Sequence, residues 1–290
     1  MKGNDMIVNI TNRSGLGRIL PIMMIIAMMA GCAGLDRLNK PAMVPEFMPG
    51  ILQGYLPFES HPNSLALLPP PPALGSTARV QDEDISKRSF ALRDTQRWLL
   101  ATSDADLSFP HAAGTFSCAL NAPITEADTP HLYMLLRRTL TDVGHSTYAA
   151  KNHYQRTRPF LWNKEPLCTP NDRAFLEKDG SYPSGHTAAG FGWALILSEI
   201  SPAETNAILA RGLAFGESRN VCNAHWHSDV VQGRIIAAGA VARLHADPAF
   251  LADLESARAE LAAVRKRGLK PTRDCSAEAV ALAVKPSLAQ

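Results

Sequence analysis

The sequence predicts an all-α fold, a single helical-bundle domain, and three observations carry that expectation. Leu132, Leu135, Leu136, Thr139, Leu140, Val143, Thr147 and Ala150 recur at the roughly 3.6-residue spacing of an amphipathic helix. The stretch Phe191-Gly192-Trp193-Ala194-Leu195-Ile196-Leu197 is apolar almost all round, the pattern of a helix buried at the centre of a domain. No stretch shows the strict alternation of a half-buried strand, and no internal repeat is visible.

In chain order, Arg13 and Arg18 precede an apolar run, Ile19 to Ala30, interrupted only by Pro21. The run is well short of the roughly 20 residues that span a bilayer, so residues 1–32 read as a signal peptide rather than an anchor. The run ends Met29-Ala30-Gly31-Cys32, which resembles a bacterial lipobox. In that reading Cys32 is the lipidated first mature residue, and its acyl chains hold the protein to a membrane face. Cleavage nearby, with Cys32 an incidental thiol, is the alternative. Both place the mature chain in the periplasm. Residues 33–78 form a Pro-rich arm, with Pro41, Pro45, Pro49, Pro57, Pro62 and Pro69 to Pro72. Proline lacks an N–H and fixes φ, so an extended or irregular path over the domain is expected.

Residues 79–267 are expected to be the catalytic domain. Asp82 to Leu100 holds good helix formers without Pro or Gly, and Thr125 with Asp128 resembles a capping box. If the Leu132–Ala150 helix continues, Lys151 and Arg158 lie two turns apart on one face and Pro159 ends it. Ser184 or Gly185 opens the apolar helix. Ser201-Pro202-Ala203-Glu204 is a further start signal, with a cap, a Pro at the first helical position and a Glu two residues on. Another apolar helix follows Asp229 through Val230, Ile235, Ile236, Ala240, Val241 and Leu244, and Ala249 to Lys266 reads as a charged surface helix. Residues 268–290 are left as a C-terminal tail. A 46% hydrophobic content allows a substantial core. The net charge of +2 has no basic runs behind it, so nothing argues for a nucleic-acid partner.

Three separated pieces carry the chemistry: Lys151 with Arg158-Pro159, then Pro183-Ser184-Gly185-His186, then Ser218-Arg219 with His225 and Asp229. Together they supply three cations, a turn with backbone N–H groups opening a helix, and two histidines, one with a carboxylate four residues on. That set suits a tetrahedral oxyanion: arginine forks bind its oxygens in pairs, helix N-termini offer donors, and histidines move protons or attack phosphorus.

In this order the pieces resemble the signature of the type-2 phosphatidic acid phosphatase superfamily, which also holds the vanadium haloperoxidases. Arg156 to Phe160, Gly180 to Thr187 and His225 to Val230 are similar to the class A bacterial non-specific acid phosphatases, as are Leu67 to Pro72 and Ile124 to Asp128. The likeness covers roughly residues 65–265. It implies the all-α bundle of the acid phosphatase and vanadium haloperoxidase type. It also implies an exported acid phosphatase that hydrolyses a broad range of small phosphomonoesters through a phosphohistidine, with an acidic optimum. By resemblance His225 is the nucleophile, Asp229 accepts a hydrogen bond from its other ring nitrogen, and His186 is the general acid. Lys151, Arg158, Ser184, Gly185 and Arg219 hold the phosphate. No cofactor and no metal are implied, because the cations take that part. Self-association is left open.

The other groups read as structural. His61, His111, His131, His145, His153 and His245 lack motif context, His227 falls at a position the pattern leaves free, and Arg156 is taken as surface. Phe160, Trp162, Tyr182 and Trp226 either wall the pocket or fill the core. Without Cys32, four cysteines remain in an oxidising compartment, and three pairings are open besides free thiols. Cys168 with Cys222 is preferred because each adjoins a motif that must converge, leaving Cys118 for Cys275. No cysteine has zinc-ligand spacing. A haloperoxidase would use the same pocket for vanadate. A lipid or polyprenyl phosphate phosphatase normally brings membrane helices, and none follows Cys32. A phosphate-binding lipoprotein would not need both histidines and Asp229.

Overall fold

The arm carries structure that sequence patterning did not show. In the computed structural model, which describes residues 40–284, strands β1 (Glu46–Met48) and β2 (Ile51–Leu52) pair antiparallel. Gly50 turns the chain between them at φ 79°, a conformation that favours glycine. Strands this short show no alternation, which is why the period-two test missed them. The leader at 1–32, with the lipobox reading of Cys32, lies outside the described residues. Past the hairpin the arm is bound to the bundle by one buried carboxylate: Asp142 accepts from the amides of Tyr55 (2.9 Å) and Leu56 (3.0 Å) and meets His61 Nε2 at 3.2 Å. A short helix, α1 (Ser64–Leu67), is capped by Asn63.

The helical run expected from Asp82 to Leu100 is two helices, α2 (Thr77–Ser89) and α3 (Gln96–Asp104). Thr95 caps the second through Trp98 N, and Asp94 takes a left-handed turn at φ 60°. After α4 (Ser117–Leu120), Thr125 and Asp128 do bond to each other, but the helix they precede starts at Pro130. That helix, α5 (Pro130–His145), does not run on through Ala150. Ser146 and Thr147 turn their hydroxyls back onto the carbonyls of Asp142 and Gly144, and α6 (Tyr148–Tyr154) begins anew.

Short helices α7 (Pro159–Asn163) and α8 (Arg173–Leu176) lead to the central α9 (Gly185–Ile200), then α10 (Thr205–Val221), α11 (His227–Leu244), α12 (Pro248–Lys266) and α13 (Cys275–Ala283). Helix α9 packs on α10, α11 and α5, and α5 packs on α12. Trp193 and Leu197 of α9, Leu136 of α5, Ile208 of α10 and Phe250 of α12 share one core. Two close approaches need glycine: a Cβ on Gly212 would lie 2.4 Å from Ala194 Cβ, and one on Gly233 would lie 2.7 Å from Ser184 O. The second seats α11 against the start of α9. The described residues are all-α apart from the hairpin.

The disulfides are Cys118–Cys275 and Cys168–Cys222, the preferred pairing. The C-terminal tail therefore contains a docked helix: α13 is tied to α4 by the first bridge, and its Glu278 lies 3.5 Å from Arg211 Nε. Among the described residues no single helix is long and apolar enough to cross a membrane.

Candidate active site

Lys151 and Arg158 meet, but not on one helical face. Helix α6 ends at Tyr154, Gln155 turns left-handed at φ 41°, and Arg158 is the extended N-cap of α7. Pro159 disfavours helical geometry in the residue before it and suits the first helical position, so it starts a helix here instead of ending one. The chain reversal brings both cations to one carboxylate, Asp179, at 3.0 Å from Lys151 Nζ and 2.7 Å from Arg158 Nη2.

Helix α9 opens as the motif suggests. Ser184 caps it, its hydroxyl accepting from Thr187 N at 3.2 Å. Ser184 N–H itself donates to Asp229 O, so the outward donors of this turn belong to the residues after it. A Cβ on Gly185 would sit 3.9 Å from Lys151 Cε, which places that turn beside the lysine. Ser218 of the Ser-Arg pair points away, donating to Asp104 of α3 at 2.6 Å and fixing the last turn of α10. Arg219 is buried with Nε and Nη1 lacking any partner. Those two donors are free to take an anion, and a guanidinium fork binds a tetrahedral oxyanion through such a pair.

His225 lies between α10 and α11, its backbone N–H donating to Arg219 O and its carbonyl accepting from Asn220. Arg158 Nη1 donates to His225 Nε2 at 3.0 Å, so Nε2 carries the lone pair and Nδ1 the hydrogen. Nδ1 stands 3.5 Å from Asp229 Oδ2 and 3.3 Å from Ser181 Oγ, and that hydroxyl donates to Asp229. The direct bond expected from Asp229 is thus long, with Ser181 filling in beside it. His186 Nε2 meets Ala105 O at 3.0 Å, which leaves Nδ1 for chemistry. Lys151, Arg158, Gly185, His186 and His225 all line one cavity of about 660 Å³.

Burial first, and then the crowding of cations, sets the electrostatics. Burial, with Arg158 next, pushes Lys151 down to about 8, and burial with Arg158 lowers Arg219 to about 10. Burial and then Arg219 hold His186 well below the usual histidine range. Burial, Arg158 and Lys151 do the same to His225. Both imidazoles are thereby biased toward the neutral form. A bound phosphate would reverse part of that field.

Several residues of the site were missed or misread. Arg156, taken as surface, is half-buried, but its side chain turns inward and grips Asp229, with Ser228 Oγ and Asp82 Oδ2 each at 2.7 Å. A signal existed: alternate residues of an extended stretch share a side, so Arg156 should follow Arg158 inward. Asp179 and Ser181 carried no spacing signal, since a loop has no period. His145, taken as structural or surface, lines the cavity, whereas His227 does not. Phe160, Tyr182 and Trp226 are buried in the core, and Trp162 is a half-exposed ring stacked edge-on against Trp226. Among the described residues no group of three or more His, Cys, Asp or Glu forms a metal site.

A bundle that aims cations and paired histidines at one cavity defines a phosphoryl-handling class, and comparison with known proteins narrows it. Residues 130–250 match the PAP2 superfamily. The chain is 45% identical over 205 residues to the non-specific acid phosphatase of Providencia stuartii, covering 70% of this chain and 83% of that protein. It is 42% identical over 214 residues to the acid phosphatase of Zymomonas mobilis subsp. mobilis, covering 74% and 81%. Against the non-specific acid phosphatase of Salmonella typhimurium it is 42% identical over 204 residues, covering 70% and 82%. The chain belongs to the PAP2 superfamily, in its bacterial non-specific acid phosphatase branch.

Proposed function

We propose that this acid phosphatase is exported, works without a metal, and hydrolyses a broad range of phosphomonoesters through a phosphohistidine on His225. The observation that carries the reading is the pairing of Arg219, whose two buried donors lack partners, with a histidine whose Nε2 lone pair faces Arg158. Substrate phosphate takes Arg219, Lys151 and Arg158, and Arg158 Nη1 moves from His225 Nε2 to a phosphoryl oxygen. Nε2 attacks phosphorus in line, forming the N–P bond as the P–O bond to the leaving group breaks. The leaving oxygen takes a proton from His186. Water then attacks the phosphohistidine and gives its proton to His186, releasing inorganic phosphate. Asp229, fixed by Arg156, supports the positive charge that develops on His225.

The lowered histidines favour an acidic optimum. His225 stays a free base well below neutrality, while His186 gains its proton only as the pH falls or as anionic substrate arrives. Two disulfides fit an oxidising compartment and so support export. The test is a panel of phosphomonoesters and one phosphodiester, assayed with and without exhaustive chelation. Full activity on the monoesters after chelation, with competitive inhibition by orthovanadate, is the expected result. A loss restored by magnesium or zinc would remove metal independence from the account.

A further inference from the structure

The reaction just described uses only the floor of the cavity. At about 660 Å³ the space is far larger than a phosphate needs. Beyond the floor of Lys151, Arg158, His186 and His225, the wall is made by Phe47, Met48, Ile51, Phe58, Leu140 and Phe175. Three of these belong to the β1–β2 hairpin, Phe58 to the turn after it, and Phe175 to α8. Phe47, Phe58 and Phe175 are 58%, 78% and 65% exposed. Rings left facing water in one patch mark a surface that something apolar covers.

The wall is built rather than loose. Phe47 and Phe58 meet the His145 ring edge-on at 5.1 and 5.7 Å, and His61 meets the same ring at 5.2 Å. His61 in turn bonds Asp142, the carboxylate that pins Tyr55 and Leu56. His145 closes α5 and Lys151 lies in the middle of α6, so the rings are carried close to the phosphate cations. Apart from the histidines, the acidic and basic side chains lining the cavity, Lys151, Arg158 and Asp179, all belong to the floor.

We propose that this wall is a leaving-group subsite that takes the apolar alkyl or aryl part of a phosphomonoester while its phosphoryl group lies on the floor. The proposal rests on the phosphatase reading and adds a preference to it. Thr141, Thr147, Tyr148 and Asn152 also line the cavity, but the exposed phenylalanines are covered only by a chain or a flat ring.

Ethyl, butyl and hexyl phosphate release alkoxides of nearly equal basicity, so their chemical steps match and only the apolar contact changes. For the wild type, kcat/KM should rise roughly two- to fourfold per methylene. The Phe47→Ser/Phe58→Ser double variant changes two exposed rings that touch no catalytic group. It should keep the ethyl phosphate rate, which reports an intact site, and flatten the rise along the series. Phenyl and 1-naphthyl phosphate form the aryl arm: a gain confined to the naphthyl ester assigns the subsite to flat rings, and one confined to the alkyl series assigns it to chains. Equal kcat/KM across both series would overturn the subsite, as would an unchanged slope in the double variant. Failure to hydrolyse any ester, ethyl phosphate included, would overturn the phosphatase reading and the subsite with it.

Discussion

At the scale of single residues, the arrangement of charge around Arg158 decides what the pocket can do. All three of its nitrogens are engaged: Nε bonds the carbonyls of Leu176 and Asp179, Nη1 bonds Ala224 O and His225, and Nη2 bonds the Asp179 carboxylate. Arg219, by contrast, has donors to spare. Asp179 therefore competes with substrate phosphate for two of the three cations. Asp179→Asn keeps the shape and removes the competing charge. Inorganic phosphate should then inhibit at about tenfold lower concentration, the scale of one charge-assisted hydrogen bond. Titrating product inhibition in both proteins checks this. Weaker phosphate binding in the variant would mean that Asp179 chiefly orients Lys151 and Arg158. Asp179 lay outside the quoted motifs and Ser181, inside Gly180 to Thr187, was given no role, because loop residues meet their partners through tertiary closure and leave no periodic trace.

At the scale of elements, the helices were readable where periodicity was long and their ends were readable where a cap did the work. Ser184 capping α9 and the amphipathic stripe of α5 are both present. The breaks were less visible. Ser146-Thr147 and Thr95 interrupt helices through side-chain bonds to nearby backbone, a competition that propensity alone does not resolve. The tether of the tail, Cys118–Cys275, was the preferred pairing, but the helix α13 was missed because it is held by that bridge and Arg211 rather than by a pattern of its own. That bridge closes a separation of 157 residues. Replacing both cysteines by serine should cost about 2–4 kcal/mol of stability, the usual range for such a link. Because α13 lines no part of the catalytic cavity, kcat should hold. Urea unfolding alongside steady-state assays checks both halves, and a kcat loss in a fully folded double variant would contradict the separation of tail from site.

At the scale of the whole molecule, folding holds imidazoles neutral against a cationic field, and that ties stability to pH. Histidines of the unfolded chain ionise around 6.5. His186 and His225 stay neutral in the fold well below that. As pH falls from about 6.5, the unfolded chain therefore binds more protons, and the stability linked to these two residues declines. His145 and His227 act in the same sense, whereas His61 and His245, shifted up by their carboxylate partners and backbone bonds, act in the opposite one. The contribution of the site is consequently read as a difference. Between pH 7 and pH 5 the His186→Gln/His225→Gln double variant should lose less stability than the wild type in phosphate-free urea melts. Identical losses would show that the site histidines are not held neutral. The fold class itself was legible at this scale because an all-α core depends on period and burial, and both are properties of long stretches such as 132–145 and 185–200.

The central claim is that His225 carries the phosphoryl group and His186 supplies and recovers the proton. It is tested most directly by rapid-quench single turnover of His186→Ala with 4-nitrophenyl phosphate, quenched in alkali, where phosphohistidine survives. Nitrophenolate leaves without a proton, so the first step should persist while water attack, deprived of its base, slows by roughly 10²–10⁴-fold. The account predicts a burst of nitrophenolate close to one per enzyme, with alkali-stable phosphate mapped by mass spectrometry to His225 and absent from the His186→Ala/His225→Ala double variant. Turnover without covalent phosphate, or phosphate mapped to any other residue, would contradict it.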